Sequence, residues 1–428
     1  MAGSLTTGIV AALLLVIAPL VPAEGDAVLG VVLCGFAFGW AVLAVLSARF
    51  TDQPQRWAFI PALFLGAGGL LLLTLGSSAV LDWVWPPTLL ALVIWMAVRV
   101  HRDLRVRRGR WLLYPVLAVL AIVSVGGGYE TVQSAADEDY PMPGNLIDVG
   151  THSLHLNCNG SGSPTVVLQP GGGEMSSAFG WIAPVVSEET RVCVYDRAGH
   201  GWSESSETAQ DGAEIAADLH TLLESGQVPG PYVLVGHSFG GLYTLTSAAL
   251  YPDEVAGMVL VDTTAPASEP APRSTTTSDD ASPDAMDRLA ALLGTTARLG
   301  LGRLVSGSDF GDLPPQSRDE MRAAGATESH LRGTVEEYLT ANTSGGQAAW
   351  LEDFGSKPLV VLTASVGSDA ASVEKQEQLA TLSDESAHRL IEGADHSALI
   401  HEEAHAAATS EAILDVVAAV RDEEPLAR

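Results

Sequence analysis

Cysteine and lysine are scarce in this 428-residue chain. Its 3 Cys residues are too few for a disulfide-dense scaffold or a cysteine-rich metal cluster. Only two of its 22 basic residues are lysines, Lys357 and Lys375, and 51 Asp and Glu residues give a net charge of −29. A surface this acidic repels the phosphates of nucleic acids and of anionic lipid headgroups, so the composition disfavours both as partners.

The charge is distributed unevenly along the chain. Residues 1–128 contain 8 basic and 5 acidic side chains, whereas residues 129–428 contain 14 and 46, a net charge of −32. The hydrophobic fraction of 47% and the mean hydropathy of +0.24 are high for a soluble protein. These numbers predict an N-terminal membrane region followed by an acidic domain in water.

Residues 1–128 contain long apolar stretches that lack a central charge. Such stretches of roughly bilayer-spanning length lie near residues 5–22, 27–47, 57–77, 80–99 and 111–128. Asp82 and Arg99 lie at the ends of stretches, and the absence of a mid-membrane ionisable residue disfavours a proton relay or an ion path. The sequence therefore predicts an all-α transmembrane region of about five helices that serves as an anchor.

The loops between these stretches alternate in basic residues. The loops at 23–26 and 78–80 have none, whereas 48–56 has two and 99–110 has six. Because basic loops stay inside, we predict a multi-pass cell-membrane protein with a cytoplasmic N-terminus and an extracytoplasmic domain after residue 128. A signal peptide cleaved after Ala23 is a weaker alternative, since no basic residue precedes the first apolar stretch.

Residues 145–428 alternate between strand and helix patterns. The acidic segment 129–144 before them is predicted to be an exposed linker. The alternation predicts an α/β sheet with covering helices, and a Ser/Thr/Pro-rich insertion at 267–356 predicts a helical cap over one edge of it. Strands are expected near 145–149, 152–158, 165–169, 191–196, 232–237, 257–262, 358–364 and 388–392, and helices near 176–186, 213–226, 239–251, 375–383 and 402–421.

Four short motifs follow strands of this pattern. Strand 232–237 enters Gly236-His237-Ser238-Phe239-Gly240-Gly241, and a helix pattern follows. Such a strand–turn–helix setting thrusts a serine hydroxyl above a sheet at a helix N-terminus. The other motifs are Pro170-Gly171-Gly172-Gly173, the run from Asp196 to Ser203 (DRAGHGWS), and Gly393-Ala394-Asp395-His396.

In this order the motifs resemble the α/β-hydrolase fold superfamily, specifically its serine-hydrolase branch with a helical cap. The resemblance covers about residues 145–428 and implies an eight-stranded, mostly parallel sheet. It implies that Ser238 is the nucleophile, that His396 is the general base, and that the backbone N–H groups of Phe239 and Gly172 hold an oxyanion. Pro170 stands where many members have His, so the resemblance does not identify the substrate; no cofactor or metal is expected.

The acid that orients the base is open between two aspartates. The resemblance favours Asp369, after the penultimate strand, with Asp262 at the end of the preceding strand as the alternative. His200 and His237 are candidate substrate-binding residues. The strand order of the resembled fold, 1-2-4-3-5-6-7-8, makes strands 152–158 and 191–196 neighbours, which implies a Cys158–Cys193 disulfide; two separate buried thiols are the alternative.

Two further hypotheses compete with a serine hydrolase. Residues His401 to His405 fit H-E-x-x-H, in which two histidines one helical turn apart bind zinc, so a zinc peptidase is one alternative. The other is a non-catalytic binding or sensing domain on the same fold. The preferred hypothesis is a membrane-anchored, esterase- or lipase-like serine hydrolase that acts on a small-molecule or lipid-like acyl substrate, with the oligomeric state left open.

Overall fold

The structure is a computed structural model that describes residues 2–18, 20–22, 24–103, 107–137, 141–272, 285–300, 303, 310, 312–423 and 425–426. Its N-terminal helices are α1 (Ala2–Val16), α2 (Gly25–Phe50), α3 (Phe59–Leu75), α4 (Ala79–Asp103) and α5 (Arg107–Asp137). The strands are β1 (Asn145–Asp148), β2 (Ser153–Asn159), β3 (Thr165–Gln169), β4 (Val192–Tyr195), β5 (Tyr232–His237), β6 (Val255–Val261), β7 (Leu359–Ala364) and β8 (Ser386–Ile391). The later helices are α6 (Ile182–Ser187), α7 (Gly212–Ser225), α8 (Phe239–Leu250), α9 (Ala285–Gly294), α10 (Pro315–Gly325), α11 (Glu328–Ala348), α12 (Ala370–Ala380), α13 (Ala398–His401) and α14 (Glu403–Asp422).

The eight strands form one sheet in the order β1-β2-β4-β3-β5-β6-β7-β8. β2 pairs antiparallel with both β1 and β4, and the remaining pairs are parallel. The central strands are apolar runs that are buried along their whole length, as a sheet covered on both faces requires. The predicted α/β-hydrolase fold and its eight strands are confirmed.

Among the described residues of the N-terminal part, four helices are long and apolar enough to cross a membrane: Gly25–Phe50, Arg56–Leu75, Val80–Asp103 and Arg110–Ala136. The prediction of about five membrane-spanning helices is corrected, because the first predicted stretch forms the shorter helix α1. With 15 residues, α1 spans only about 22 Å at about 1.5 Å per residue. The first residues of the predicted linker are also helical, since α5 continues to Asp137. The proposed cleavage residue Ala23, loop residues 104–106 and linker residues 138–140 lie outside the described residues.

The insertion at 267–356 does not form a single cap. By its contacts the chain divides into two compact units, and the described insertion residues 285–300, 303 and 326–328 belong to the unit of the N-terminal helices. In that unit Arg298 bridges Asp26 (2.5 Å) and Glu328 (2.6 Å), and Arg303 pairs with Glu130 at 2.8 Å. The rest of the insertion, including α10 and all of α11 after its first residue, belongs to the unit of the sheet. The Ser/Thr-rich opening at 273–284 lies outside the described residues.

The structure joins Cys158 on β2 to Cys193 on β4. The two residues are direct cross-strand partners in the antiparallel ladder, with Cα atoms 4.0 Å apart. The disulfide implied by the expected strand order is therefore confirmed, and it closes a loop over a sequence separation of 35.

Candidate active site

Ser238 lies at a sharp turn between β5 and α8. Its backbone has φ 53° and ψ −120°, a region that non-glycine residues rarely adopt, and its hydroxyl does not cap α8. The turn is close enough to β3 that a Cβ on Gly240 would collide with the carbonyl oxygen of Gln169. A small residue is thus required there, and the Ser238 hydroxyl remains available at the N-terminus of a helix.

The side chain of His396 is hydrogen-bonded to that of Asp262. The His396 Nδ1 lies 2.6 Å from the Asp262 Oδ2, while the Asp262 Oδ1 accepts the backbone N–H of Ala364 at 3.2 Å. The hydrogen bond that His396 donates to Asp262 raises the pKa of His396, and the half-exposed ring leaves its other edge accessible. Asp262 thus holds the imidazole in one orientation and stabilises its charged form.

The preference for Asp369 as the partner of His396 is wrong. Asp369 caps the N-terminus of α12, where its Oδ1 accepts the backbone N–H and the hydroxyl of Ser372, each at 2.8 Å. These bonds lower the pKa of the fully exposed Asp369. Of the two candidates, Asp262 is the aspartate that the structure places beside His396.

His237 lies underneath this pair rather than in open space. Its Nε2 is 3.1 Å from the carbonyl oxygen of His396, and its Nδ1 is 3.3 Å from the Oε2 of Glu174. The Oε1 of Glu174 also lies 3.0 Å from the Nε2 of His401. Burial alone would raise the pKa of Glu174, but the two neighbouring histidines lower it well below its usual range. The predicted substrate contact of His237 is replaced by a supporting contact with the backbone of His396.

The H-E-x-x-H segment does not form the helix that zinc binding would require. α13 ends at His401, Glu402 adopts an extended conformation, and α14 begins at Glu403. His401 contacts Glu174, whereas His405 contacts Glu402 at 3.0 Å. The two histidines are therefore not one turn apart on a continuous helix, and the arrangement required by the zinc-peptidase hypothesis is not formed.

The glycine loop after β3 lies against Ser238 and Phe239. A Cβ on Gly172 would come within 2.8 Å of the Phe239 ring. The Gly171 N–H donates to Glu174 at 2.8 Å and the Gly173 N–H donates to Glu337 at 2.8 Å. Within the part of the chain that the structure describes, the N–H groups of Gly172 and Phe239 have no acceptor. These two N–H groups are the predicted oxyanion donors.

His200 is buried in a polar cluster behind this loop. Its Nδ1 lies 3.1 Å from the Ala198 carbonyl oxygen and its Nε2 lies 3.5 Å from Glu337. Burial lowers the pKa of His200. With 1% of its surface exposed, it does not line an open cavity, and the prediction that it contacts substrate is corrected.

The cluster contains three residues that sequence reasoning missed, Arg197, His330 and Glu337. Arg197 lies in the DRAGHGWS motif, so its position after a strand was a usable signal. His330 and Glu337 are on α11 and carry no local signal, because their contacts are with residues more than a hundred positions away.

A cavity of about 370 Å³ lies beside the His396–Asp262 pair. Its lining includes His396, Asp262, Ser372 and Lys375.

Several known proteins are similar in sequence to parts of this chain. Residues 164–305 match the family model described as the alpha/beta hydrolase fold. An uncharacterised protein of Schizosaccharomyces pombe is 28% identical over 300 residues, which cover 62% of this chain and 54% of the relative. A 2-(acetamidomethylene)succinate hydrolase of Mesorhizobium japonicum is 32% identical over 118 residues, which cover 28% of this chain and 42% of the relative. The chain thus spans about half or less of these curated relatives.

A solved structure shows the same fold. The crystal structure of Cfl2 from Burkholderia cenocepacia superimposes with a TM-score of 0.51 at 20% identity, covering 64% of this chain and 95% of Cfl2. Together with the observed strand order, these similarities show the α/β-hydrolase fold in the C-terminal part of the chain. Among the described residues, four apolar helices long enough to span a membrane precede it.

Proposed function

We propose that this protein is a membrane-anchored, extracytoplasmic serine hydrolase that cleaves an ester or a related acyl substrate. The observations that carry the proposal are the hydrogen bond between His396 and Asp262 and the strained strand–helix turn that holds Ser238. The backbone N–H of Ser238 donates to the carbonyl oxygen of Val261, the residue before Asp262, at 3.1 Å. A nucleophile, a base and an acid that orients the base are the parts that acyl transfer through a serine requires.

In the proposed mechanism, the Ser238 Oγ attacks the substrate carbonyl carbon while His396 Nε2 takes the hydroxyl proton. The carbonyl oxygen becomes an oxyanion that accepts from the N–H groups of Gly172 and Phe239. The tetrahedral intermediate collapses as His396 returns the proton to the departing alkoxide, which leaves an acyl-serine. Water then attacks the acyl-serine with His396 again as the base, and the acid product leaves.

The charge of Asp262 has two effects in this scheme. It fixes the tautomer in which the Nδ1 of His396 carries a proton, so that Nε2 is free to accept one. It also stabilises the imidazolium that forms during each proton transfer, which agrees with the raised pKa of His396. The position of His237 under the His396 carbonyl supports the loop that presents the base.

The extracytoplasmic location is supported by two independent features. The distribution of basic loops favours an outward position of everything after α5. The Cys158–Cys193 pair fits an oxidising compartment, since disulfides rarely persist in the cytosol.

The proposal is tested with the full-length chain in detergent and short-chain p-nitrophenyl esters. Ser238→Ala and His396→Ala should each reduce hydrolysis to the level of buffer, because nucleophile and base act as a unit. Ser247→Ala is the matched control: this serine lies on the same helix, and its buried hydroxyl donates to its own helix backbone at Tyr243. The control should retain activity.

A further variant separates this proposal from the alternatives. His405→Ala and treatment with phenanthroline should leave ester hydrolysis intact. Loss of activity under both, with Ser238→Ala unaffected, would favour a metal-dependent enzyme. A well-folded wild-type protein without hydrolysis of any ester, thioester or amide in a broad panel would favour the non-catalytic binding domain.

A further inference from the structure

The mechanism leaves unused a carboxylate that is buried in the unit of the sheet. Glu337 lies on α11, a helix of the insertion, and 1% of its surface is exposed. Its Oε1 accepts from the Nε of Arg197 at 2.5 Å, and its Oε2 accepts the backbone N–H of Gly173 at 2.8 Å. Burial raises and Arg197 lowers the pKa of Glu337, and the net shift is downward, so this carboxylate is charged at neutral pH.

Arg197 binds the same loop with its remaining nitrogens. Its Nη1 donates to the carbonyl oxygen of Pro170 and its Nη2 to that of Gly171, each at 2.7 Å. The guanidinium therefore contacts the carbonyl groups of Pro170 and Gly171 and the carboxylate of Glu337, which in turn accepts the N–H of Gly173. This planar fork fixes the backbone over Pro170–Gly173 in one conformation.

A third side chain of this cluster completes the arrangement. The His330 Nε2 lies 2.9 Å from the carbonyl oxygen of Gly173, and its Nδ1 accepts the backbone N–H of Gly201 at 3.3 Å. Burial and the neighbouring His200 lower the pKa of His330 to about 4, so the ring is neutral at neutral pH. A neutral ring with the proton on Nε2 satisfies both contacts.

Stability gives little reason for such a cluster. Exchanging a buried ion pair for apolar groups of similar volume is often neutral or stabilising, because two charges must lose their hydration. Arg197, Glu337 and His330 each contact the backbone of the Pro170–Gly173 loop instead. Gly172 of this loop lies next to Phe239, since a Cβ on Gly172 would come within 2.8 Å of the Phe239 ring. Oxyanion donors act only when they lie about 2.7–3.1 Å from the developing charge and are held to within about 0.5 Å of that position.

We propose that Glu337 is a positioning residue for the oxyanion loop, and that through Arg197 and Gly173 it holds the Gly172 N–H at the distance that the tetrahedral intermediate requires. This inference rests on the proposed serine-hydrolase function. It assigns to α11, a helix of the insertion, a part in rate acceleration.

The test compares Glu337→Gln with Glu336→Gln in the full-length chain. Glu336 is the adjacent residue on α11, and its carboxylate pairs with Arg332 at 2.7 Å in a partly exposed position. We measure kcat and KM for a p-nitrophenyl ester, the affinity for an alkyl trifluoromethyl ketone, the pH dependence of kcat and the melting temperature.

Glu337→Gln should lower kcat by about 10²-fold or more, the usual effect of losing one oxyanion donor, with KM changed less than about threefold. Affinity for the ketone, which binds as a tetrahedral oxyanion, should fall in parallel. The acid limb of the pH profile should not move, because the His396–Asp262 pair is intact. Glu336→Gln should match the wild type in all four measurements.

Wild-type kcat and ketone affinity in a folded Glu337→Gln variant would overturn the positioning role. If this variant does not fold, the Arg197→Met/Glu337→Leu variant removes both charges together; it should fold and still show reduced kcat, and wild-type kcat in it would overturn the role. Failure of the proposed function gives a different pattern, in which wild-type hydrolysis is absent or is unaffected by Ser238→Ala.

Discussion

Asp262 and Asp369 both follow strands that end at the same edge of the sheet. The backbone conformation at each residue determines which of the two carboxylates reaches His396. Asp262 has a positive φ of 42°, which turns its side chain back toward the loop after β8. Asp369 begins a helix, and its carboxylate is used by the first turn of that helix. The sequence could predict both candidates, but the deciding bond spans 134 positions and leaves no local pattern.

Asp262→Asn is expected to lower kcat for ester hydrolysis by about 10⁴-fold with the fold preserved. Asp369→Asn is the control and should change kcat by less than about twofold. Because Asp262 raises the pKa of His396, wild-type activity should fall as pH drops through a value above the ordinary 6.5, where the base becomes protonated. The residual activity of Asp262→Asn should persist to lower pH.

The kcat–pH profile of the two variants is the check. A loss of activity in Asp369→Asn that exceeds the loss in Asp262→Asn would return the acid to the loop after β7. An acid limb that is unchanged in Asp262→Asn would show that this aspartate does not influence His396.

At the level of elements, the sheet was predictable and the insertion was not. The central strands are short runs of apolar, often β-branched residues, and the fully buried β3, β5 and β7 show the clearest runs. The insertion instead contributes residues to both compact units, and its helices α9 and α10 are short and amphipathic. Amphipathic patterns predict a helix but do not identify the surface on which it packs.

The pairing of β2 with β4 predicts a measurable stability effect. The Cys158→Ala/Cys193→Ala variant should lose about 4 kcal/mol of unfolding free energy, the value expected for opening a loop of about 35 residues. Cys34→Ser is the control, since that cysteine is free and lies on α2. Denaturant unfolding of the three proteins gives the comparison.

Mass spectrometry of the non-reduced wild type should show a peptide pair joined through Cys158 and Cys193. Two thiols that alkylate completely after denaturation without reductant would contradict the pairing. That result would also remove one of the two supports for an extracytoplasmic domain.

At the scale of the whole molecule, four apolar helices among the described residues are suited to a membrane, and the strongly acidic remainder is suited to water. The proposed orientation of the chain in the membrane is tested by introducing single cysteines in a Cys34→Ser background. Glu224, whose side chain is 80% exposed on α7, reports on the hydrolase domain, and the exposed Asp52 reports on the loop after α2.

In intact cells, a membrane-impermeant maleimide should label Glu224→Cys and should leave Asp52→Cys unlabelled until the cells are lysed. This outcome follows from the basic residues near Asp52 and from their absence at 78–80. The opposite labelling pattern would place the hydrolase domain in the cytoplasm.

The most direct test of the central claim is covalent capture of Ser238 by a fluorophosphonate, which reacts with activated serines, followed by peptide mapping. The account predicts a single stoichiometric adduct on Ser238 in the wild type, none in Ser238→Ala, strongly slowed labelling in His396→Ala, and normal labelling in the Ser247→Ala control. An unlabelled wild type, or an adduct on a different serine, would contradict a Ser238-dependent hydrolase.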